Sequence, residues 1–538
     1  MATADSPPSA AYGHSMAKRS ALIIGAGHNG LVCAWYLARA GYRVEILETR
    51  DIVGGAAVTE EFHPGFRNST ASYTVGLLDP GIAKEMRLAE HGLTIVDRPV
   101  ANFLPLDDRN YLVMGGGQSA EQVAKFSRAD AAMLPEYERR LNAAASLLRY
   151  LTKTIPPNAS GGLDDLFRAI GQARAALKLP LEAQRDAVDL FTRSAREFLD
   201  GFFESDPVKA VFGFDSVVGA YHSPDTPGSA YVLLHHVFNE VNGKPGTWGH
   251  AIGGMGAITQ AMAAACRREG VTIRTDVPVG RVLVAKGKVE GVETAAGERI
   301  AADLVIGNVH PKRLLLEMVD PDALDPAFRK RMEHHVSGSG TFRMNVALSE
   351  LPRFTCLPES SPHLSSGIIM APSLDYMDRA FQDARAHGWS KQPIVEMLIP
   401  STLDDSLAPE GAHVASLFCQ QFDPALDWDV HRDAAIETIL DCVEAHAPGF
   451  RASVVGKLAL SPLDLERRFG LIGGDIFHGR MSLDQLWAMR PMLGIADHRM
   501  PVPGLYLCGS GAHPGGGVTG RPGRNAATAV IRDGRRFF

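Results

Sequence analysis

ALIIGAGHNG, residues 21–30, is the stretch on which the fold turns. Ala21-Leu22-Ile23-Ile24 is a short apolar run of the kind buried in a parallel sheet, and it breaks at a glycine. A helical pattern follows over about 29–40, closed by Gly41, and RVEILE (residues 43–48) reads as a second strand. Strand, helix and strand in such quick succession open a doubly wound sheet. The three glycines have separate tasks. Gly25 permits the tight turn, Gly27 lets the backbone approach a pyrophosphate, and Gly30 lets helix and strand pack closely. The helix N-terminus, at His28 and Asn29, turns free N–H groups and the positive end of its dipole toward the phosphates. Glu48, eighteen residues after Gly30, is placed to accept hydrogen bonds from ribose hydroxyls and to repel a 2′-phosphate.

FAD and NAD both suit this opening. Gly54-Gly55-Ala56-Ala57 separates them by resemblance: paired glycines just past the ribose acid are similar to those typical of flavoproteins, where backbone N–H groups approach phosphates and flavin. The stretch IIGAGHNGLVCAWYLARAGYRVEILETRDIVGGAAVTEEFHPGF (residues 23–66) resembles the phytoene desaturase-like branch of the FAD-dependent amine oxidase superfamily. GLYLCGSGAHPGGGVTGRPGRNAA (residues 504–527) is similar to the C-terminal flavin motif of that family. The resemblance implies that a strand delivers Gly509 and Ser510 beside the phosphates and ribityl chain. Gly515, Gly516, Gly517 and the adjoining Val518 would then touch the isoalloxazine, and the next helix would aim its N-terminus at the edge where negative charge develops. TDVPVGRV (residues 275–282) resembles the family's middle segment, which implies Val279 near the adenine. SPLDLERRFGLIGGDIFHGRMSLDQLWAMRP (residues 461–491) resembles two groups, the vertebrate-type pyridine nucleotide-disulfide oxidoreductase domain-containing protein 2 and the O-type carotene ketolases. Thr519 and Arg521 depart from the small or apolar residues usual there. Arg521 reads either as a ligand for an acidic substrate group or as a loop arginine facing solvent.

The expected architecture is α/β: a discontinuous Rossmann-like FAD-binding domain of amine oxidase/phytoene desaturase type, with an inserted mixed α+β substrate domain. Residues 1–19 read as a disordered N-terminal segment. Residues 20–115, 245–310 and 455–538 are assigned to the FAD-binding domain, and 116–244 and 311–454 to the substrate or helical domain. A chain of 538 residues with 45% hydrophobic and 21% charged residues has apolar material for two cores. A net charge of −7 and the lack of a basic stripe argue against a nucleic-acid partner. The six cysteines form no close pair and no zinc-ligand spacing, so a reducing compartment such as the cytoplasm fits, and disulfide reduction at the flavin lacks its thiols. No apolar run approaches the roughly 20 residues needed to span a bilayer, while peripheral contact with a membrane stays open, for instance through the cationic, aromatic tail 532–538.

The FAD ligands are therefore expected among Gly25, Gly27, His28, Asn29, Gly30, Glu48, Gly54, Gly55, Ala56, Ala57, Val279, Gly509, Ser510, Gly516, Gly517 and Val518, with no metal. No side chain is named as catalytic. His478, Arg480 and His513 are candidates for substrate binding or proton transfer, and Trp248 and His250 for lining the substrate cavity. His235 and His236, adjacent on a helix, point different ways and read as structural. The resemblance implies a flavin-dependent oxidoreductase that desaturates or ketolates a hydrophobic, lipid-like or isoprenoid molecule, with oxygen or a quinone as electron acceptor. An amine or small-molecule oxidase, and a flavin-stabilised protein that mainly binds a partner, are the alternatives. Nothing in the sequence sets an oligomeric state.

Overall fold

The computed structural model describes residues 19–158 and 161–536, so the N-terminal segment up to residue 18 and the terminal Phe537 and Phe538 lie outside the described residues. Strand Ser20–Ile24 is the centre of a five-stranded parallel sheet. Ile23 faces Ile46 of Arg43–Leu47 on one side and Ile306 of Leu304–Gly307 on the other. Thr272–Arg274 and Leu505–Leu507 close the two edges. A strand flanked on both sides and covered on both faces needs an unbroken apolar run, which is what residues 21–24 supply.

Helix His28–Arg39 packs on this sheet, held between Met255–Arg268 and the C-terminal helix Arg521–Arg536. Leu31, Val32, Ile258, Met262 and Val530 are buried there. Each large aliphatic side chain removed from water contributes about 1.5–3 kcal/mol. An antiparallel meander, Val279–Ala285, Lys288–Thr294 and Arg299–Ala301, lies next to it.

The second unit is built on a seven-stranded sheet in the order Val454–Leu460, Phe342–Leu348, His413–Phe422, Trp389–Leu398, Gly367–Met370, Asn102–Pro105, Tyr111–Met114. All its pairs are antiparallel except Gly367–Met370 with Asn102–Pro105. Helices Arg128–Thr152 and Leu181–Thr192 pack beside it, with Leu163–Leu177 against the first of them, all within the segment 116–244 assigned to the substrate or helical domain. Two boundaries differ from the sequence reading. Asn102–Pro105 and Tyr111–Met114 join this sheet, although they fall within 20–115, and Val454–Leu460 joins it from the segment assigned as 455–538. Local pattern identifies a strand but not its partner, and the partner of Asn102–Pro105 lies more than 250 residues downstream.

Candidate active site

The turn after Ile24 and the N-terminus of His28–Arg39 form one wall of a cavity of about 350 Å³, in the range of cofactor and small-molecule sites. The helix begins at Gly27 without a side-chain cap and carries no acid in its first turn. Its first N–H groups and dipole are thus available to an anion in the cavity, which Gly27, His28 and Asn29 line. His28 Nε2 and Asn29 Oδ1 are buried polar atoms with no partner among the described residues. Unpaired polar atoms beside a cavity mark a place where a polar ligand completes the hydrogen bonding.

Glu48 lies on the same wall, its carboxylate accepting from the N–H groups of Ala26 (2.7 Å) and Arg50 (3.0 Å). Each oxygen keeps a lone pair for a hydroxyl of a bound group. Gly54 has φ 129°, a conformation closed to other residues, and a Cβ there would stand 2.7 Å from the Ala57 carbonyl oxygen. Gly54 and Gly55 thereby bring bare backbone to the cavity, with Ala56 and Ala57 beside them. Asn29 Nδ2 donates to Ser510 Oγ at 3.3 Å, which ties the first glycine motif to the last one. Asn308 Nδ2 donates to the Gly25 carbonyl oxygen at 3.1 Å and fixes the turn.

The structure brings together at this cavity Gly25, Gly27, His28, Asn29, Glu48, Gly54, Gly55, Ala56, Ala57, Val279, Ser510, Gly517 and Val518. Gly30, Gly509 and Gly516 stand behind the wall. Added Cβ atoms would meet the Gly25 carbonyl oxygen at 2.4 Å, the Asn308 carbonyl carbon at 3.3 Å and the Phe477 ring at 2.6 Å, respectively. At each of the three the close approach leaves little room for a side chain.

Of the candidates for chemistry, His478 lines the cavity, buried, with Nδ1 unpartnered among the described residues. Burial pushes its pKa down to about 3, and that of His28 to about 4. His310, its ring tilted and 5.3 Å from that of His478, accepts the Lys312 N–H at Nδ1 and so carries its proton on Nε2, against Ser337 Oγ. These rings are neutral at physiological pH. Arg480 is half exposed and paired with Asp484, away from the cavity. His513 is buried elsewhere, its Nε2 2.9 Å from the Leu151 carbonyl oxygen. His250 holds Asp404 at 3.0 Å, whereas Trp248 does line the cavity. Arg521 neither faces solvent nor lines the cavity: Nε donates to Asp79 at 2.9 Å and Nη1 to Thr152 at 2.7 Å, so it anchors the turn at residue 79. His235 and His236 open a short helix, and their side chains lie outside what the structure describes.

Two constellations had no signature in the sequence. Arg490, fully buried, donates to the carbonyl oxygens of Phe477, Gln485 and Ser510. Its nearest counter-charge is Asp475, whose carboxylate accepts the N–H groups of Gly338, Phe477 and Gly479. The only hint was a basic residue inside an otherwise apolar WAMRPM. On the opposite wall Tyr73 stacks on Phe418 at 5.2 Å, donates its hydroxyl to Glu396 at 2.5 Å, and carries the Arg343 guanidinium 4.4 Å above its ring. Leu77, Val218, Ile476 and Phe477 complete that end. None of the six cysteines lines the cavity; all are free, and burial pushes up the thiols of Cys356 and Cys442 to about 11.

The buried histidines make stability depend on pH. His335, His478, His498 and His513 titrate near 6.5 unfolded but at about 3–4 folded. Between about pH 6.5 and 4 the unfolded chain therefore binds more protons, and stability falls as pH falls, about 1.4 kcal/mol per unit for each fully buried ring. Urea midpoints are expected to drop steadily from pH 7 to pH 5. His498→Asn, which tolerates the φ of 72° there, should flatten that slope by one histidine's share. An unchanged slope would contradict this account.

A family model, flavin containing amine oxidoreductase, matches residues 30–354. The chain is 41% identical to pyridine nucleotide-disulfide oxidoreductase domain-containing protein 2 of Rattus norvegicus, over 95% of this chain and 93% of that protein. It is 24% identical to the lycopene-forming phytoene desaturase of Paracoccus sp., over 96% and 98%. Wild-type putrescine oxidase bound to putrescine shares the fold at TM-score 0.59 and 16% identity, over 97% of this chain and 99% of that one. Among the described residues no helix is long and apolar enough to cross a membrane, and no cluster of side chains could hold a metal.

Proposed function

The chain belongs to the flavin containing amine oxidoreductase family and is an FAD-dependent oxidoreductase, and from that premise we propose that it oxidises an apolar, isoprenoid- or lipid-like molecule by desaturation or ketolation. The observation that carries this reading is the Tyr73 wall. An ammonium substrate needs open aromatic faces or a carboxylate. Here one face of Tyr73 is stacked on Phe418, the Arg343 cation lies over its ring, and Glu396 is engaged by the Tyr73 hydroxyl. Beside them Leu77, Val218, Trp248, Ile476 and Phe477 give that end of the cavity an aliphatic and aromatic surface, which suits a substrate without charge.

We assign the nucleotide end of FAD to the first glycine motif. The uncapped helix at Gly27 would hold the pyrophosphate, Glu48 the ribose and Val279 the adenine side, while Ser510, Gly517 and Val518 would hold the flavin end. When bound, FAD supplies a two-electron acceptor for hydride leaving a substrate C–H bond. The chain's own part is to bind, orient and exclude water. His28 and His478, neutral and each with one unpartnered ring nitrogen, are the groups of this wall able to hydrogen-bond a bound cofactor or substrate. Oxygen or a quinone then takes the electrons.

The test is anaerobic bleaching of the flavin absorbance by a panel of carotenoid precursors, acyl compounds, amines and NAD(P)H. Bleaching by apolar polyenes or acyl compounds is expected. Bleaching by a primary amine or diamine alone would replace this reading with an amine oxidase. No bleaching by any member would favour a partner-binding role.

A further inference from the structure

Helix Leu163–Leu177 is turned inside out. Leu163, Phe167, Ile170 and Leu177 follow one another at helical spacing and point to solvent, Leu163 and Leu177 each 72% exposed and Phe167 68%. The opposite face buries Gln172, which donates to Thr154 Oγ1 and the Ile155 carbonyl oxygen. A surface helix ordinarily does the reverse. The apolar surface continues past this helix: Leu181 and Val188 are exposed on Leu181–Thr192, and Leu483 and Trp487 on the segment 483–493. Of fifteen large apolar side chains exposed among the described residues, eleven fall in 163–188 or 483–493. The two stretches adjoin: Leu179, Val188 and Leu483 line one groove of about 420 Å³ with Phe191, and just outside the stretches Asn158 Nδ2 donates to the Gly494 carbonyl oxygen at 2.7 Å. A patch this concentrated marks a binding surface.

The charges on this face select the occupant. Asp165, Glu182, Asp189 and Asp484 are each paired with an arginine. Arg174, Lys178 and Arg185 carry no ion pair among the described residues. Arg174 lies within the apolar stripe, three residues before Leu177, and Arg185 between Leu181 and Val188. A protein interface keeps charge out of its apolar centre. At a bilayer, by contrast, the aliphatic stem of an arginine or lysine lies among acyl chains while its head reaches a phosphate, and tryptophan settles at the headgroup level.

We propose that this face, formed by 163–188 and 483–493, docks on the surface of an anionic lipid bilayer. The groove between the helices then opens toward the lipid. At its inner end Phe191 stacks on Tyr231 at 4.9 Å, and both pack with Phe477, a wall residue of the FAD cavity. That the groove admits substrate from the bilayer rests on the apolar-substrate reading; the docking does not.

The test is co-sedimentation of the FAD-loaded full chain with phosphatidylcholine vesicles, with and without about one third phosphatidylglycerol. Binding is expected to the anionic vesicles and to be far weaker on the neutral ones. Phe167→Ser with Leu177→Ser should reduce it about tenfold or more. Arg174→Glu with Lys178→Glu should abolish the preference for anionic lipid. Melting temperature and flavin content should hold in all variants, since the altered side chains are exposed. Wild-type protein left in the supernatant with both vesicles overturns the proposal. So do variants that bind like wild type, or a wild-type dimer in light scattering that Phe167→Ser dissociates, which would make the face a contact between two copies. No substrate enters the assay, so its failure is distinct from failure of the redox reading.

Discussion

Arg490→Met is expected to lower stability by about 3–5 kcal/mol and to release the flavin. Methionine fills much of the volume but donates nothing. The carbonyl oxygens of Phe477, Gln485 and Ser510 would be left buried without their donor, and Asp475 without its nearest positive charge. Burial alone already pushes the Asp475 carboxyl upward, with Arg490 opposing that shift. Breaking one side of a buried pair costs more than the pair contributes when intact, because the remaining charge stays desolvated. Against a total of about 5–15 kcal/mol for a typical domain, such a loss is large. Two of the three clamped residues, Phe477 and Ser510, line the cavity proposed to hold FAD, so the damage should reach the cofactor. Arg490→Lys should be intermediate: it keeps the charge, but one ammonium cannot span three carbonyls held by a planar fork. Denaturation midpoints and the fluorescence of released flavin measure both effects. A methionine variant within about 1 kcal/mol of wild type would show that the clamp is dispensable.

Gly30→Ala should yield protein without FAD, at least about a hundredfold weaker in cofactor binding. A methyl there would lie 2.4 Å from the Gly25 carbonyl oxygen and 2.8 Å from Asn308 Nδ2. Both obstacles are fixed, the first being backbone of the turn and the second the amide that holds it. Relief requires the helix to withdraw from strand Ser20–Ile24, taking Gly27, His28 and Asn29 off the cavity wall. Gly41→Ala is the informative contrast. Gly41 has φ 91° but open space around it, so alanine there meets only backbone strain, about 1–2 kcal/mol. That variant should fold less stably yet stay yellow. Flavin absorbance per chain separates the two, and a fully flavinylated Gly30→Ala would refute the packing argument.

The start and end of the cofactor sheet were legible because their signals are local. An apolar run into Gly25, a helix closed by Gly41 and a glycine loop after residue 507 each announce themselves within a dozen residues. Glu48, expected from its spacing after the glycine motif, and Val279, expected from a resemblance, both line the cavity. What escaped was non-local. Asn102–Pro105 is an evident strand, but its sheet is set by pairing with Gly367–Met370. Tyr73 has nothing in its neighbourhood to mark it, because Glu396, Arg343 and Phe418 come from three other strands. Histidine candidates suffered in the opposite direction. His478, His513 and His250 read alike in sequence, and only burial and partners divide a cavity residue from two structural ones.

The parallel sheet also sets a timetable for synthesis. Its five strands come from residues 20–24, 43–47, 272–274, 304–307 and 505–507, so the first of them leaves the ribosome almost the whole chain before the last. At about 5–20 residues per second, that is a wait of roughly half a minute to a minute and a half. During it Ser20–Ile24 and the helix behind it lack the C-terminal helix that covers them. The seven-stranded sheet is complete by residue 460 and can close first. The parallel sheet is therefore the last of the two that can be completed, and a nascent chain stalled before residue 505 would carry a finished seven-stranded unit beside a parallel sheet still open to chaperones and proteases.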